Sequence, residues 1–201
     1  LKHSFGNYRD LLEEVTLNPI MGEYLSMKGN RRPDAEKNIQ PDENYARELL
    51  QLFSIGLEQL NDDGTPKLDD SGQTIPTYDQ STIEGFAHLF TGWHFANADD
   101  FKWPRNKDYL SAMKAWPEYH DTGEKKLLNG FVTAANQTPE EDLEQALDNV
   151  FYHPNVGPFI SKQLIQRLVT SNPSPEYVRD VAAVFNKNAA GERGSLASTV
   201  K

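Results

Sequence analysis

Hydrophobic residues recur at spacings of three and four over most of the chain, and this pattern predicts a mainly helical protein. The widest apolar face belongs to a helix predicted from about Asp42 to Ile55. We expect Asp42 to cap its first turn and Gly56 to end it, because glycine readily adopts the left-handed conformation that closes helices. The face of this helix is broad enough to lie at the centre of a core. Its residues are Tyr45, Ala46, Leu49, Leu50, Leu52 and Phe53.

Further amphipathic stretches predict helices on both sides of this segment. Two of them carry clear start signals: Asn18 stands before Pro19, and Thr138 is followed by Pro139 and Glu141 at the spacing of a capping box. The predicted helices cover residues 5–17 and 19–27, a segment that starts near Thr77 or Asp79 and ends at 91, and residues 138–151, 156–170 and 175–185.

Two stretches depart from the helical pattern. Residues 57–76 contain two Asp- and Gly-rich turn sequences and predict a small β-hairpin inserted at the surface. Residues 93–135 form an irregular, loop-rich segment that holds all three tryptophans, with a second hairpin expected over residues 119–129. The predicted fold class is therefore mainly α: an irregular helical bundle with one or two small β-hairpins, in a single helical domain over residues 1–201.

Composition narrows the classes of function. The chain of 201 residues has 30 acidic and 20 basic side chains, a net charge of −10, which disfavours nonspecific binding to nucleic acid. The absence of cysteine excludes disulfides, thiolate metal sites and a cysteine nucleophile. No apolar run reaches the roughly 18–20 residues that cross a bilayer. We predict no nucleic-acid partner, no transmembrane segment, no metal site and no cofactor.

Four motifs resemble the bacterial family called domain of unknown function 1800. The longest is residues 41–56, PDENYARELLQLFSIG, and it is followed in order by 90–93 (FTGW), 120–125 (HDTGEK), and 153–154 (HP) leading into 159–164 (FISKQL). The resemblance implies a mostly helical bacterial protein, often exported, and hence a periplasmic or secreted location. It also implies a neighbouring sulfatase- or phosphatase-like protein as a partner, but no particular reaction. Family members are larger, so we expect this chain to be a fragment of a longer protein.

The first candidate ligand site lies on the predicted central helix. Arg47 and Glu48, with Asn44 and Tyr45, can present a guanidinium and a carboxylate to an anionic or hydroxylated ligand. Trp93, which follows the next helix, is a further ligand-binding candidate. The alternative interpretation is a structural network, because Glu43 stands four residues before Arg47 in the order that favours a helical ion pair.

The second candidate is the adjacent pair His120 and Asp121 in the loop-rich segment. Together with Glu48 they could supply a general base and the group that orients it. The alternative is a turn in which Asp121 accepts backbone amides before Gly123. Glu84 and His88, four residues apart on one helix, make only half of a helical metal site, and we interpret them as a solvated face.

Two hypotheses of function follow from these residues. The first is a noncatalytic helical binding or scaffold module, with a polysaccharide or an exported protein as its partner, in which exposed Trp103 and Trp116 would stack on sugar rings. The second is a hydrolase-like enzyme whose pocket combines four side chains. They are Arg47, Glu48, His120 and Asp121.

Overall fold

A computed structural model describes residues 2–201, and within them it contains eight α-helices and one two-stranded antiparallel sheet, which confirms the mainly α prediction. The helices are α1 (Tyr8–Thr16), α2 (Pro19–Tyr24), α3 (Asn44–Glu48), α4 (Gln80–Leu89), α5 (Pro139–Phe151), α6 (Val156–Leu168), α7 (Pro175–Asn186) and α8 (Leu196–Thr199). The strands are β1 (Trp93–His94) and β2 (Lys114–Ala115). Within residues 2–201, no helix combines the length and the apolar character that crossing a bilayer requires.

Capping contacts confirm three of the predicted helix starts, whereas α1 begins at Tyr8, three residues later than predicted. The side chain of Asn18 accepts hydrogen bonds from the first amides of α2, and Asp79 accepts one from Thr82 N at 2.9 Å in α4. Thr138 and Glu141 form both bonds of a capping box at α5, since each side chain accepts the backbone N–H of the other. Local start signals therefore fix where these helices begin.

The predicted central helix differs from the expectation in its form. It begins at Asn44, two residues later than predicted, because the Asp42 carboxylate accepts the Asn44 N–H at 2.8 Å. After α3 the chain widens into a π-helical turn over Leu49–Ser54, and the amides of Ile55 and Gly56 both bond to the Leu50 carbonyl. Gly56 ends it with a φ of +73°, as predicted.

The β structure lies partly where the sequence placed it. Residues 57–76 pair through three isolated antiparallel bridges rather than continuous strands: Glu58 with Pro76, Leu60 with Pro66, and Leu68 with Thr74. The regular sheet of β1 and β2 falls in the irregular segment instead. The second hairpin lies later than residues 119–129, at a bridge between residues 126 and 132, because His120 and Lys125 both turn into the interior.

The chain divides into two compact units. Unit 1 comprises residues 2–11, Leu50–Thr77 and Val150–Lys201, and in it α6 packs on α7 and α7 on α8. Unit 2 comprises Leu12–Leu49 and Tyr78–Asn149, and in it α3 packs on α4. Compactness does not show whether a unit folds alone, so the single domain over residues 1–201 stays a prediction.

Each unit has its own buried apolar side chains. In unit 2, Tyr45 is only 2% exposed and donates a hydrogen bond to Thr16 Oγ1 at 2.6 Å, as expected for the segment around Tyr45. Leu52, predicted for the same buried face, is instead 53% exposed. Other core residues of unit 2 are Leu49, Phe86, Phe90, Phe95, Leu127, Leu128 and Leu147. Core residues of unit 1 include Ile55, Val150, Val156, Val178, Ala182 and Phe185.

Candidate functional site

His120, one of the predicted catalytic residues, is wholly buried inside unit 2. Its Nδ1 lies 2.9 Å from the Thr91 carbonyl oxygen, which can only accept, so this nitrogen carries a proton. Its Nε2 lies 2.8 Å from Asp142 Oδ2 on α5. Both ring nitrogens are therefore engaged by the protein itself.

Lys125 joins the same carboxylate and completes a buried charge cluster of His120, Lys125 and Asp142. Its Nζ lies 2.7 Å from Asp142 Oδ2 and donates to the Gly123 carbonyl at 2.8 Å. Since a carboxylate accepts and does not donate, the contact between His120 Nε2 and Asp142 requires a shared proton. The cluster ties α5 to the segment 120–125 from inside the core.

Asp121, the neighbour of His120 in sequence, faces a different partner. Its Oδ2 lies 2.5 Å from His88 Nδ1, its Oδ1 accepts the Gly123 N–H at 2.7 Å, and its own N–H bonds to Thr91 Oγ1. The hydrogen bond from His88, with help from the Gly123 amide and the Lys125 charge, lowers the pKa of Asp121 to about 2. The adjacent pair His120 and Asp121 thus serves two separate contacts.

The pairing of His88 differs from the interpretation of that residue as part of a solvated face. Its side chain is about a third exposed and reaches Asp121, 33 residues later in the chain. The only sequence signal was the spacing of Glu84 and His88 on α4, which does not reveal a partner outside the helix.

An open cleft of about 550 Å³ lies beside Asp121 in unit 2, and we call it the cationic cleft. Its wall combines the segment after α2 with residues of the irregular segment. The lining residues are Arg31, Arg32, Pro33, Asp34, Lys37, Lys102, Glu118, Tyr119, Asp121 and Thr122.

Four cationic and three acidic side chains line this cleft, although the chain as a whole is strongly acidic. Asp34 pairs with Lys37 at 2.5 Å, and Asp121 pairs with His88. Among residues 2–201, Arg31, Arg32 and Lys102 have no ion-pair partner. Sequence analysis missed these residues, and the signal that could have found them is two consecutive arginines in a polar loop of an acidic chain.

The backbone that carries the two arginines is held on both sides. Gly29 N–H donates to the Trp93 carbonyl at 2.8 Å, and the buried Asn30 side chain accepts the Asp42 N–H at 2.9 Å. The Arg32 N–H donates to the Tyr119 carbonyl at 2.8 Å. The Tyr119 ring in turn stacks on Phe101 with centroids 3.9 Å apart. Both walls of the cleft therefore have a fixed main chain.

The candidates on the central helix are not among the residues that line this cleft. Arg47 pairs with Glu43 at 2.7 Å, as in the structural alternative, and Glu43 also accepts a hydrogen bond from Gln80 at 2.9 Å. Asn44 is exposed on the first turn of α3. Burial raises the pKa of Tyr45 above its ordinary range.

Glu48 and Trp93 each carry a buried polar atom, Glu48 Oε2 and the Trp93 indole nitrogen, that has no hydrogen-bond partner within residues 2–201. The Tyr78 hydroxyl also has no hydrogen-bond partner within residues 2–201. Burial and the negative charge of Glu48 raise the pKa of Tyr78, while the positive charge of Arg47 lowers it, and the net shift is upward. The structure thus brings Arg47, Glu48 and Tyr78 within electrostatic reach of one another. The catalytic and ligand-binding roles of all seven candidates stay predictions.

The described part of the chain contains no group of three or more His, Asp or Glu side chains placed to hold a metal ion.

The family model described as "Protein of unknown function (DUF1800)" matches residues 1–201. The chain belongs to the DUF1800 family. Searches among curated proteins and among solved structures returned no match.

The motifs that carry the DUF1800 resemblance mostly supply interior contacts. Tyr45 and Leu49 lie in the core of unit 2, while His120 and Lys125 form the buried charge cluster with Asp142. Asp121 and Thr122 are the motif residues that also line the cationic cleft.

Proposed function

We propose that this DUF1800 chain is a noncatalytic binding module and that its ligand is a polysaccharide. The observation that carries the proposal is the indole of Trp103, which is 83% exposed and directly follows Lys102 on the wall of the cationic cleft. Tryptophan is highly buried on average in folded proteins, and a large flat apolar ring at the surface is suited to stacking on a sugar ring.

The turn that carries Trp103 has a defined backbone. The Asp100 carboxylate accepts the N–H groups of Lys102 and Trp103 at 2.8 and 2.7 Å. The other two indoles are occupied within unit 2: Trp93 is buried, and Trp116 packs against Phe101 with ring centroids 5.8 Å apart. Sugar stacking is therefore assigned to Trp103 and not to Trp116.

The test is affinity electrophoresis of the purified chain through gels that contain neutral or acidic polysaccharides. We expect retardation by at least one polysaccharide and about tenfold weaker binding for Trp103→Ala, the size of effect that removal of a stacking tryptophan has at interfaces. The matched control is Tyr152→Ala, an aromatic ring 67% exposed in unit 1. Equal losses in both variants, or no retardation by any polysaccharide, would contradict the proposal.

A hydrolase-like enzyme is the second candidate, and one observation favours it. Asp121 lines the cationic cleft and bonds to His88, an arrangement that can orient an imidazole as a general base. His120 is less suited, because both of its ring nitrogens are engaged. Chromogenic phosphate, sulfate and carboxylate esters test this candidate: turnover that Asp121→Asn abolishes would favour the enzyme over the binding module.

The protein partner and the compartment rest on the family resemblance alone. A sulfatase- or phosphatase-like partner stays a prediction that co-purification from the native bacterium would test. The periplasmic or secreted location stays a prediction as well, to be checked by fractionation of the same cells.

A further inference from the structure

We propose that Arg31, Arg32 and Lys102 form a binding site for an oxyanion group, such as a sulfate, phosphate or carboxylate, in the cationic cleft. This proposal names the chemical group that the ligand of the proposed function would carry. It rests on the proposed function only in taking a polysaccharide as the molecule that carries the oxyanion. The observation behind it is that three cationic side chains, which have no ion-pair partner within residues 2–201, line one concave surface.

The acids of the cleft do not cancel these charges. Asp34 is held by Lys37, and Asp121 is held by His88 and by the Gly123 amide, so both are already hydrogen-bonded. Glu118 is exposed and also lines the cleft, where it leaves one negative charge against three positive ones. An oxyanion therefore meets two guanidinium groups and an ammonium group whose hydrogen-bond donors are available.

The chemistry of the donors fits this class of ligand. Guanidinium groups bind carboxylate, sulfate and phosphate oxygens through paired N–H donors, while lysine adds a mobile point charge. The chain as a whole has a net charge of −10, which disfavours anion binding on average. A local surplus of cations in such a chain distinguishes this cleft from the rest of the protein.

The fixed main chain lowers the cost of binding. Residues 29–32 are tied to Trp93, Asp42 and Tyr119 before any ligand arrives, so only the arginine and lysine side chains become ordered. Side-chain ordering costs about 0.5–1.5 kcal/mol for each flexible side chain, and backbone ordering would add to it. The site is thus partly preorganised.

The experiment follows the side-chain Nε–Hε signals of arginine by NMR while sodium sulfate, phosphate or acetate replaces sodium chloride at constant ionic strength. We expect saturable shifts of the Arg31 and Arg32 signals and of the amides at residues 119–122. The dissociation constants should rise at least fivefold in Lys102→Gln and at least tenfold in Arg32→Gln. If no oxyanion gives a saturable shift, or if these variants bind it as the original chain does, the proposal is wrong.

Matched controls separate the site from general charge. Lys107→Gln removes an exposed lysine of the same loop, and Arg167→Gln removes an exposed arginine of α6; neither residue lines the cleft. Both controls should bind within twofold of the original chain. Asp121→Asn should tighten binding severalfold, because it removes a negative charge from the cleft. Control variants that weaken binding as much as Arg32→Gln would overturn the assignment.

The source of the oxyanion is settled by a second set of ligands. One polysaccharide is compared with and without its sulfate or carboxylate groups, using the original chain, Arg32→Gln and Trp103→Ala. Binding of the charged polymer alone, lost in Arg32→Gln, identifies a substituted polysaccharide as the source. Saturable binding of free sulfate or phosphate without retention of any polymer would support the oxyanion site while it contradicts the proposed polysaccharide function.

Discussion

Lys125 places its ammonium nitrogen 2.7 Å from Asp142 Oδ2, and neither side chain is more than 2% exposed. His120 Nε2 contacts the same oxygen, so one carboxylate holds an ammonium group and an imidazole ring in the interior of unit 2. Removal of charges from water is costly, and the cluster is stable only while every member keeps its partners. The cluster is therefore sensitive to the loss of any one charge.

We expect Asp142→Asn to reduce the free energy of unfolding by about 3–5 kcal/mol, because it leaves the Lys125 ammonium buried without an anion. Urea denaturation followed by circular dichroism measures the change. The control is Glu140→Gln, the same acid-to-amide change at an exposed position of α5, with an expected effect below about 0.5 kcal/mol. Similar unfolding midpoints for the two variants would mean that the buried cluster contributes little.

Two buried histidines should make the fold sensitive to mild acid. Burial lowers the pKa of both His94 and His153 to about 4, and the Nδ1 atom of each accepts a backbone N–H, from Phe95 and Asn155 respectively. A proton on either Nδ1 would break that bond and bury a charge.

The direction of the pH dependence follows from how many protons the folded and the unfolded chain bind. Between about pH 6.5 and pH 4 the unfolded chain binds protons on these histidines and the folded chain does not, so stability falls as the pH falls through that range. The expected loss is about 2 kcal/mol for each histidine. Urea midpoints at pH 7 and pH 4.5 measure it, and His94→Asn should flatten the dependence. Equal stability at pH 7 and pH 4.5 would contradict the prediction that both histidines are buried and neutral in the folded chain.

Gly85 is expected to tolerate no side chain. A Cβ atom at this position of α4 would lie 1.9 Å from the Lys126 carbonyl oxygen, which is backbone and cannot move aside cheaply. Although alanine favours a helix over glycine by about 1 kcal/mol, Gly85→Ala should lower the unfolding free energy by about 2–4 kcal/mol. Thermal unfolding should show this against Glu84→Ala, an exposed neighbour where alanine is harmless. An unchanged or raised melting temperature would show that α4 does not press on residue 126.

Asn155 fastens residues 57–76 to the start of α6 in unit 1. Its buried side chain donates to the carbonyls of Ile55 at 2.9 Å and Glu58 at 2.7 Å, and it accepts the Leu60 N–H at 2.9 Å. Asn155→Ala should lower stability by about 2–4 kcal/mol, since one buried and two partly buried backbone groups lose their partner.

Hydrogen exchange is the sharper measurement for Asn155. Amides of residues 58–76 should exchange faster in the Asn155→Ala variant, whereas Asn97→Ala, which removes an exposed amide in unit 2, should leave them unchanged. If amides in both units exchanged faster to the same extent, Asn155→Ala would destabilise the whole chain, and Asn155 would have no specific role in holding residues 57–76.

Local signals in the sequence predicted much of the fold. Each helix cap forms between residues no more than four positions apart, so these contacts could be expected without knowledge of tertiary structure. The capping side chains are Asn18, Asp79, and the pair Thr138 and Glu141. The small sheet could not be expected in this way, because it pairs residues 93–94 with 114–115, which are distant in sequence. The π-helical turn could not be expected either. The 3.6-residue period also continues closely enough through Leu49 and Leu50 to conceal the wider turn.

The candidate site was predicted only in part, for a related physical reason. Sequence adjacency suggested that His120 and Asp121 act together, but adjacency in an irregular segment does not fix the direction of either side chain. Here one enters the core while the other meets His88. The spacing of Glu43 and Arg47 correctly allowed a helical ion pair. The convergence of Arg31 and Lys102 joins residues far apart in the chain, which no spacing rule reveals.

The wide turn at Leu49–Ser54 constrains how the length of this segment can vary. Each residue inserted into or removed from a helix rotates everything after it by about 100°. Deleting Gln51 could relax the turn into an ordinary α-helix, but it would swing the buried Ile55 away from its present neighbours and displace the left-handed Gly56. Homologous chains should therefore keep this stretch free of gaps, even where the surrounding loops gain or lose residues.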